Sequence, residues 1–488
     1  MSECEHIHLS FAYMQPPSKP ENGLSLKIMR NMLLFMQRVL RKRIGIIVIA
    51  IVGFYTVLSL VAYNFVTLLE GNHKDVFDFV DSFQIEQQQQ QRKHQNYHKP
   101  MHKDKRIPDF NGEDGKRRFM LARMAQNEQA KEIKQKYELE FPPNDTNRIR
   151  NYVYQNLRRP YEYETQPNMP YDIYNCPRDG PPANYPFAWN VMDVLENWNA
   201  SQTTEPERLF QSICVWDYET DLSVAELYRN AEVPFLLRNT PSLLQTSERW
   251  NRNPEYLTSL YQGLDEKVEH SHNNHFMYFK IPHAIERLPP GWTPPMEIIE
   301  LSFEEWYAKA NAVTADIPNQ ERYYFRSKGA PDSIGAFLFE ELPIFKAVPN
   351  NFFMVQPEQQ RGINCRFGMK GVIAETHFDE SRNFIVLLGG QRRYILAHPR
   401  ECPNLQLFPL NHPSGRHSAV DWIDPDVTKF PNFPKAQVHE VVLQAGDALY
   451  LPTMWFHFIV SLNVNYQCNA RSGKSNENFH LIQQCGFL

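Results

Sequence analysis

The chain has 488 residues, 42% of them hydrophobic and 22% charged, with a formal net charge of -5. The length allows two or three domains, and the balance is that of an ordinary globular protein. Mild acidity argues against nucleic acid as a general partner, because that role favours a basic surface; the 36 prolines and 32 phenylalanines lean toward a loop-rich β-protein.

Residues 1–43 form an N-terminal tail that ends in Arg38, Arg41, Lys42 and Arg43. From Ile44 to Leu69 the chain then runs 26 residues without a charge. A bilayer core about 30 Å thick needs roughly 20 apolar residues at helical rise. Buried core helices are usually shorter or amphipathic. A cleaved signal peptide fits poorly, since the run is too long and 43 residues precede it. Glu70, Asp75, Asp78 and Asp81 follow the segment, so the cationic flank marks the tail as cytosolic. The expectation is a type II signal anchor at 44–69, in the endoplasmic reticulum or Golgi, with everything beyond residue 70 in the lumen or outside.

Six of the seven cysteines lie beyond the anchor, an even number that disulfides can use. Asn144-Asp-Thr146 and Asn199-Ala-Ser201 are glycosylation sequons. Residues 70–150 read as a stalk, disordered or helical, with a glutamine run at Gln87–Gln91 and a helical composition from Arg117 to Glu140. The Tyr-, Pro- and Asn-rich stretch 151–205 has no period and is expected to wrap the domain that follows.

From 206 to 488 the texture is that of one domain. Val233–Arg238 is strand-like, Glu248-Arg-Trp-Asn begins a short helix, and Ser302–Ala312 is a helix with a capping box of Ser302 and Glu305. After Pro349 short apolar runs dominate: Cys365–Met369, Phe384–Leu388, Arg393–Leu396, Val438–Leu443, Ala448–Leu451 and Phe456–Leu462. Gly389-Gly390 is a hairpin signal and Gly446-Asp447 a turn signal. Many short strands broken by Gly and Pro predict a mainly β fold, a barrel or jelly roll.

Two histidines and a carboxylate on one face of a metal leave positions open, which suits Fe(II) that must also take a co-substrate and dioxygen. A strand sends residues i and i+2 to the same side. His377-Phe-Asp379 would therefore aim two ligands inward, and His457, inside Trp455–Ile459, would supply the third. The pattern alone is common: with 17 histidines the chain holds three such triplets, the others being His73-Lys-Asp75 and His102-Lys-Asp104 in the charged stalk. A second cluster, His270-Ser-His272-Asn-Asn-His275, could bind metal but reads more readily as a polar loop.

Taken in order, Gly368–Ala374, His377-Phe-Asp379, Asn383-Phe384, Gly389-Gly390, Gly446–Pro452 and Trp455-Phe-His457 resemble the JmjC-domain, cupin-fold oxygenases. Within that family they look most similar to the asparaginyl hydroxylase that inhibits hypoxia-inducible factor. The resemblance covers about 364–469 and thins back to Pro206. It implies a double-stranded β-helix, with flanking helices and with His377, Asp379 and His457 as iron ligands. It also implies 2-oxoglutarate as co-substrate, with Arg392 on its far carboxylate and Asn383 and Asn469 near it. Arg393 is adjacent and would face the other way.

Two departures stand out. Ala374 replaces a hydroxyl residue, and Arg471 replaces a tryptophan near the protein substrate. The reading is a hydroxylase acting on a lumenal or extracellular substrate, such as a protein side chain. A catalytically silent cupin serving as a binding module, and a metal-dependent cupin enzyme without 2-oxoglutarate, stay open as alternatives. The sequence leaves the oligomeric state undetermined.

Overall fold

A computed structural model of the chain describes residues 128–160, 169–262, 265–281, 288–313, 320–331 and 333–487. All lie in one compact unit, Pro108–Leu488. The tail, the 44–69 segment and most of the stalk lie outside the described residues. Among those that are described, no helix is long and apolar enough to cross a membrane.

In chain order the strands are β1 (Trp189–Asn190), β2 (Val215–Asp217), β3 (Phe235–Arg238), β4 (Asp265–Ser271), β5 (His275–Phe276), β6 (Glu297–Ser302), β7 (Arg322–Gly329), β8 (Gln360–Gly368), β9 (Ile373–Phe378), β10 (Asn383–Gly389), β11 (Gln391–Ala397), β12 (Gln437–Gln444), β13 (Ala448–Leu451), β14 (Phe456–Ser461) and β15 (Asn465–Ser472). They form a six-stranded sheet, β1-β12-β11-β14-β9-β5, and a nine-stranded sheet, β2-β3-β13-β10-β15-β8-β7-β4-β6. Strands β8 to β15 divide equally between the two sheets with antiparallel neighbours, the double-stranded β-helix that the sequence suggested.

The apolar runs become strands because both faces are covered. Every residue of β10 and β11 is buried. Helix Pro241–Arg252 lies behind β10, and its Asn251 Nδ2 donates to Leu388 O at 2.8 Å. That helix starts at Pro241 rather than Glu248, because proline fixes the first-turn φ and needs no amide partner there. The predicted capping box at Ser302 and Glu305 is present.

One turn differs from expectation. Gly389-Gly390 joins β10 of the large sheet to β11 of the small one, so it is a corner between sheets, not a hairpin. Gly390 takes a positive φ of 70° and sits where a Cβ would lie 2.2 Å from Val464 O.

The six described cysteines pair as Cys176–Cys214, Cys365–Cys468 and Cys402–Cys485. Residues before 206 pack on this body. Ile149 and Val153 bury against Leu244 and Ala445, and Trp198 lies in the core beside the small sheet. At the Gly446-Asp447 turn the fully buried Asp447 accepts from Arg158 at 2.8 Å, Arg238 at 3.0 Å and its own Gln444 amide at 2.9 Å.

Candidate metal centre

His377 on β9 lies directly opposite His457 on β14 in the strand register. Their rings stand 4.2 Å apart at 58°. Asp379 follows β9 immediately, and ligand atoms of the three side chains all lie within 4.8 Å of one another. The i, i+2 spacing and the cross-strand pairing therefore do what the sequence required of them.

The histidines are oriented from behind. His377 Nδ1 lies 2.7 Å from Glu375 O, and His457 Nδ1 lies 3.1 Å from Trp455 O. A carbonyl accepts only, so Nδ1 carries the proton and Nε2 keeps its lone pair for the centre of the cluster. Burial, with the neighbouring imidazoles, pushes His377 well below its ordinary pKa, and burial also lowers His457. Both rings are therefore neutral near pH 7, the form a metal takes. Burial alone would raise Asp379, but Arg471, the two histidines and Arg416 outweigh it and hold the carboxyl well below the usual carboxylate range. Its Oδ2 accepts from Arg471 at 2.5 Å, while Oδ1 makes only a 3.4 Å contact with Arg416 and has coordinating capacity to spare. Two neutral imidazoles and one carboxylate on one side of a pocket fit Fe(II).

The large sheet supplies most of the polar wall. Asn383 and Asn469 both line the cavity and are joined by an Asn469 Nδ2 to Asn383 Oδ1 hydrogen bond of 2.8 Å. Ala374 lines the small-sheet side and Arg471 the rim. Arg392 points between the sheets but does not line the cavity. It is fully buried, donating to Tyr324 Oη at 2.9 Å, Gln467 Oε1 at 2.5 Å, Arg366 O at 2.8 Å and Asn465 Oδ1. Tyr324 and Gln467 do line the cavity, so Arg392 stands one residue behind its wall. Arg393 faces outward to Glu440 and Trp198, opposite to its neighbour as strand alternation demands.

Several lining residues escaped the sequence reading. Arg366 of β8 reaches the cavity and pairs with buried Glu269 of β4 at 2.9 Å, and Arg326 holds the same carboxylate at 2.8 Å. An arginine inside a buried, apolar strand was the available signal. His417 stacks on His377 with ring centroids 5.0 Å apart. Burial, together with the charge of Arg416, pushes its pKa down to about 3.

Comparison with known proteins places this architecture. The chain is 35% identical over 147 residues to tRNA wybutosine-synthesizing protein 5 of Mus musculus, covering 30% of this chain and 45% of that protein. It is 34% identical over 104 residues to JmjC domain-containing protein D of Dictyostelium discoideum, covering 21% and 23%. It is 31% identical over 134 residues to Lysine-specific demethylase 8 of Xenopus tropicalis, covering 26% and 30%. The matched stretch spans less than half the length of these relatives. They carry the wider JmjC likeness, with the Fe(II) and 2-oxoglutarate dependence it implies, and not the narrower likeness to an asparaginyl hydroxylase. The Cupin-like domain matches residues 222–472, just over half of the chain, and spans every residue of the metal centre; this protein belongs to the cupin-like, JmjC-type family.

Proposed function

We propose that this protein is an Fe(II)- and 2-oxoglutarate-dependent oxygenase, anchored by residues 44–69, that hydroxylates a lumenal or extracellular substrate, in the first instance a protein side chain. The observation that carries the reading is the convergence of His377, Asp379 and His457 with both Nδ1 atoms tied to backbone carbonyls. Bound Fe(II) supplies dioxygen chemistry, coupled to decarboxylation of 2-oxoglutarate to succinate, that adds one oxygen atom to a C–H bond.

The chain's own residues orient and enclose. The buried pair Asn383 and Asn469 fixes the polar wall, and Ile385 and Ile459 limit water beside the ligands. The positive end of the cavity comes from Arg366 directly and from Arg392 acting through Tyr324. Because Tyr324 Oη accepts from Arg392, its own proton can turn toward a carboxylate. Arg392→Ala should therefore raise the KM for 2-oxoglutarate more than it lowers kcat.

Lumenal placement draws support from the three disulfides, which persist in oxidising compartments. It also draws on Asn144, exposed in a turn. Asn199 is a poorer glycan acceptor, since its amide donates to Ile423 O at 3.1 Å and its carbonyl accepts from Ser201.

The test is succinate formation by the purified full chain with Fe(II) and 2-oxoglutarate, abolished by His377→Ala. Comparing lumenal proteins with and without the chain for one added oxygen atom would identify the substrate. A silent binding module is the second reading, favoured by Ala374 and by the two arginines that already neutralise Asp379. An intact fold that takes up Fe(II) but not 2-oxoglutarate would decide for it.

A further inference from the structure

The histidine cluster that reads as a polar loop is joined in the fold by a carboxylate from a different strand. His270, next to last in β4, lies directly opposite Glu297 of β6. His272 follows in the turn, its ring 4.6 Å from that of His270. Ligand atoms of His270, His272 and Glu297 all lie within 4.8 Å of one another. His270 is buried, while His272 and Glu297 face solvent and give an ion a way in.

The hydrogen bonding around His270 points to a cation. Its Nε2 lies 2.6 Å from Glu321 Oε1, an oxygen that also accepts from Tyr323 Oη at 2.7 Å. A carboxylate only accepts, so Nε2 carries the proton. The other nitrogen, Nδ1, then presents a lone pair to Glu297 Oε2 at 3.6 Å, acceptor against acceptor. A positive species belongs between them. The imidazole cannot easily turn away, because it stacks on Tyr323 with centroids 4.8 Å apart at 13°. Glu321 thus occupies the place of the outer carboxylate that orients a metal-bound histidine.

We propose that His270, His272 and Glu297 form a second, structural site for a divalent cation of the zinc class, with Glu321 as its orienting carboxylate. Imidazole and carboxylate donors at bond lengths of about 2 Å suit Zn(II), and solvent fills the remaining position. The site ties β4 to β6 and fixes the turn that leads into β5. Two consequences reach the oxygenase cavity. The neighbouring Glu269 projects from the opposite face of β4 into that cavity, and Phe276 of β5 lines it. The site does not depend on the oxygenase reading, since it shares no ligand with the first centre.

The experiment measures Zn(II) bound per full chain after equilibration with zinc chloride and gel filtration. A background carrying His377→Ala and Asp379→Ala empties the first centre. Adding His272→Ala with Glu297→Gln should lower the content by one ion and abolish the rise in Tm that zinc gives the background. Glu321→Gln should keep the ion but weaken its affinity about tenfold. Because the difference between variants is what counts, zinc on histidines elsewhere does not obscure it. Equal zinc content and equal Tm response with and without His272 and Glu297 would overturn the proposal and leave a proton on Nδ1 as the only cation.

Discussion

Asp379 and Asp447 are both buried aspartates contacted by two arginines, yet they sit at opposite ends of β10 and do opposite work. Asp447 lies beside Ala448, paired with Val386, and its arginine partners Arg158 and Arg238 keep side-chain exposures of only 6% and 16%. Asp379 lies toward the Asn383 end, and its partners Arg416 and Arg471 are 33% and 39% exposed. The first carboxylate is saturated by three donors from strand, turn and wrapping segment. The second keeps one oxygen loosely engaged beside two neutral imidazoles. The difference teaches that pairing alone does not mark function. What marks it is whether the cations can retreat into water and leave coordinating capacity behind.

Substituting each aspartate in turn should separate the two ends. Asp379→Ala should reduce succinate formation to background, because the centre loses its only anionic ligand. Its partly exposed arginines can hydrate, so the unfolding free energy should stay within about 1 kcal/mol of the parent by denaturant titration. Asp447→Ala should do the reverse. It strands two buried guanidinium groups and should cost about 3–5 kcal/mol, while the folded fraction keeps its turnover. Loss of activity per folded molecule in Asp447→Ala would erase the distinction.

The disulfides brace the cavity side in a further way. Cys365–Cys468 joins β8 to β15, the strands that carry Arg366 and Asn469. Each bridge should contribute about 2–4 kcal/mol. Thiol labelling of the denatured, unreduced chain should therefore find none of Cys176, Cys214, Cys365, Cys402, Cys468 or Cys485 reactive. Free thiols at these positions would count against both the bracing and a lumenal site.

Acid supplies the mildest test. Burial alone would raise Asp447, but Arg158 and Arg238 outweigh it and hold that carboxyl low, so its contribution persists until the pH falls below the ordinary carboxylate range. Burial pushes His439 down to about 3 and His398 down to about 4. A histidine with a lowered folded pKa stabilises fully above its unfolded value near 6.5 and less as the pH falls toward the folded value. Stability should thus decline first between pH 6.5 and 5.5, by up to about 1.4 kcal/mol for each such group, and His439→Phe should flatten that slope.

Six of the eight core strands were legible because apolar runs closed by glycine have few other solutions, and the ligand pair at 377 and 379 because strand period is fixed; β15, Asn465–Ser472, was not read as a strand. What stayed hidden came from elements distant in sequence. Arg158 reaches Asp447 across 289 positions, from a segment without any period. Glu269 and Tyr324 enter the cavity from β4 and β7, which precede the motif region. The Gly389-Gly390 corner read as a hairpin because a glycine pair between apolar runs signals a tight turn in either case, and only the pairing partners tell the two apart.

The direct opposition of His377 and His457 across β9 and β14 has a consequence for how such a centre can change. A slip of one residue in either strand would turn an imidazole to the outer face, so a deletion within Ile373–Phe378 or Phe456–Ser461 cannot be absorbed gradually. Substituting a side chain beside the centre leaves this register intact. A change in strand length does not, and variation in what reaches this centre must be sought in the connecting loops.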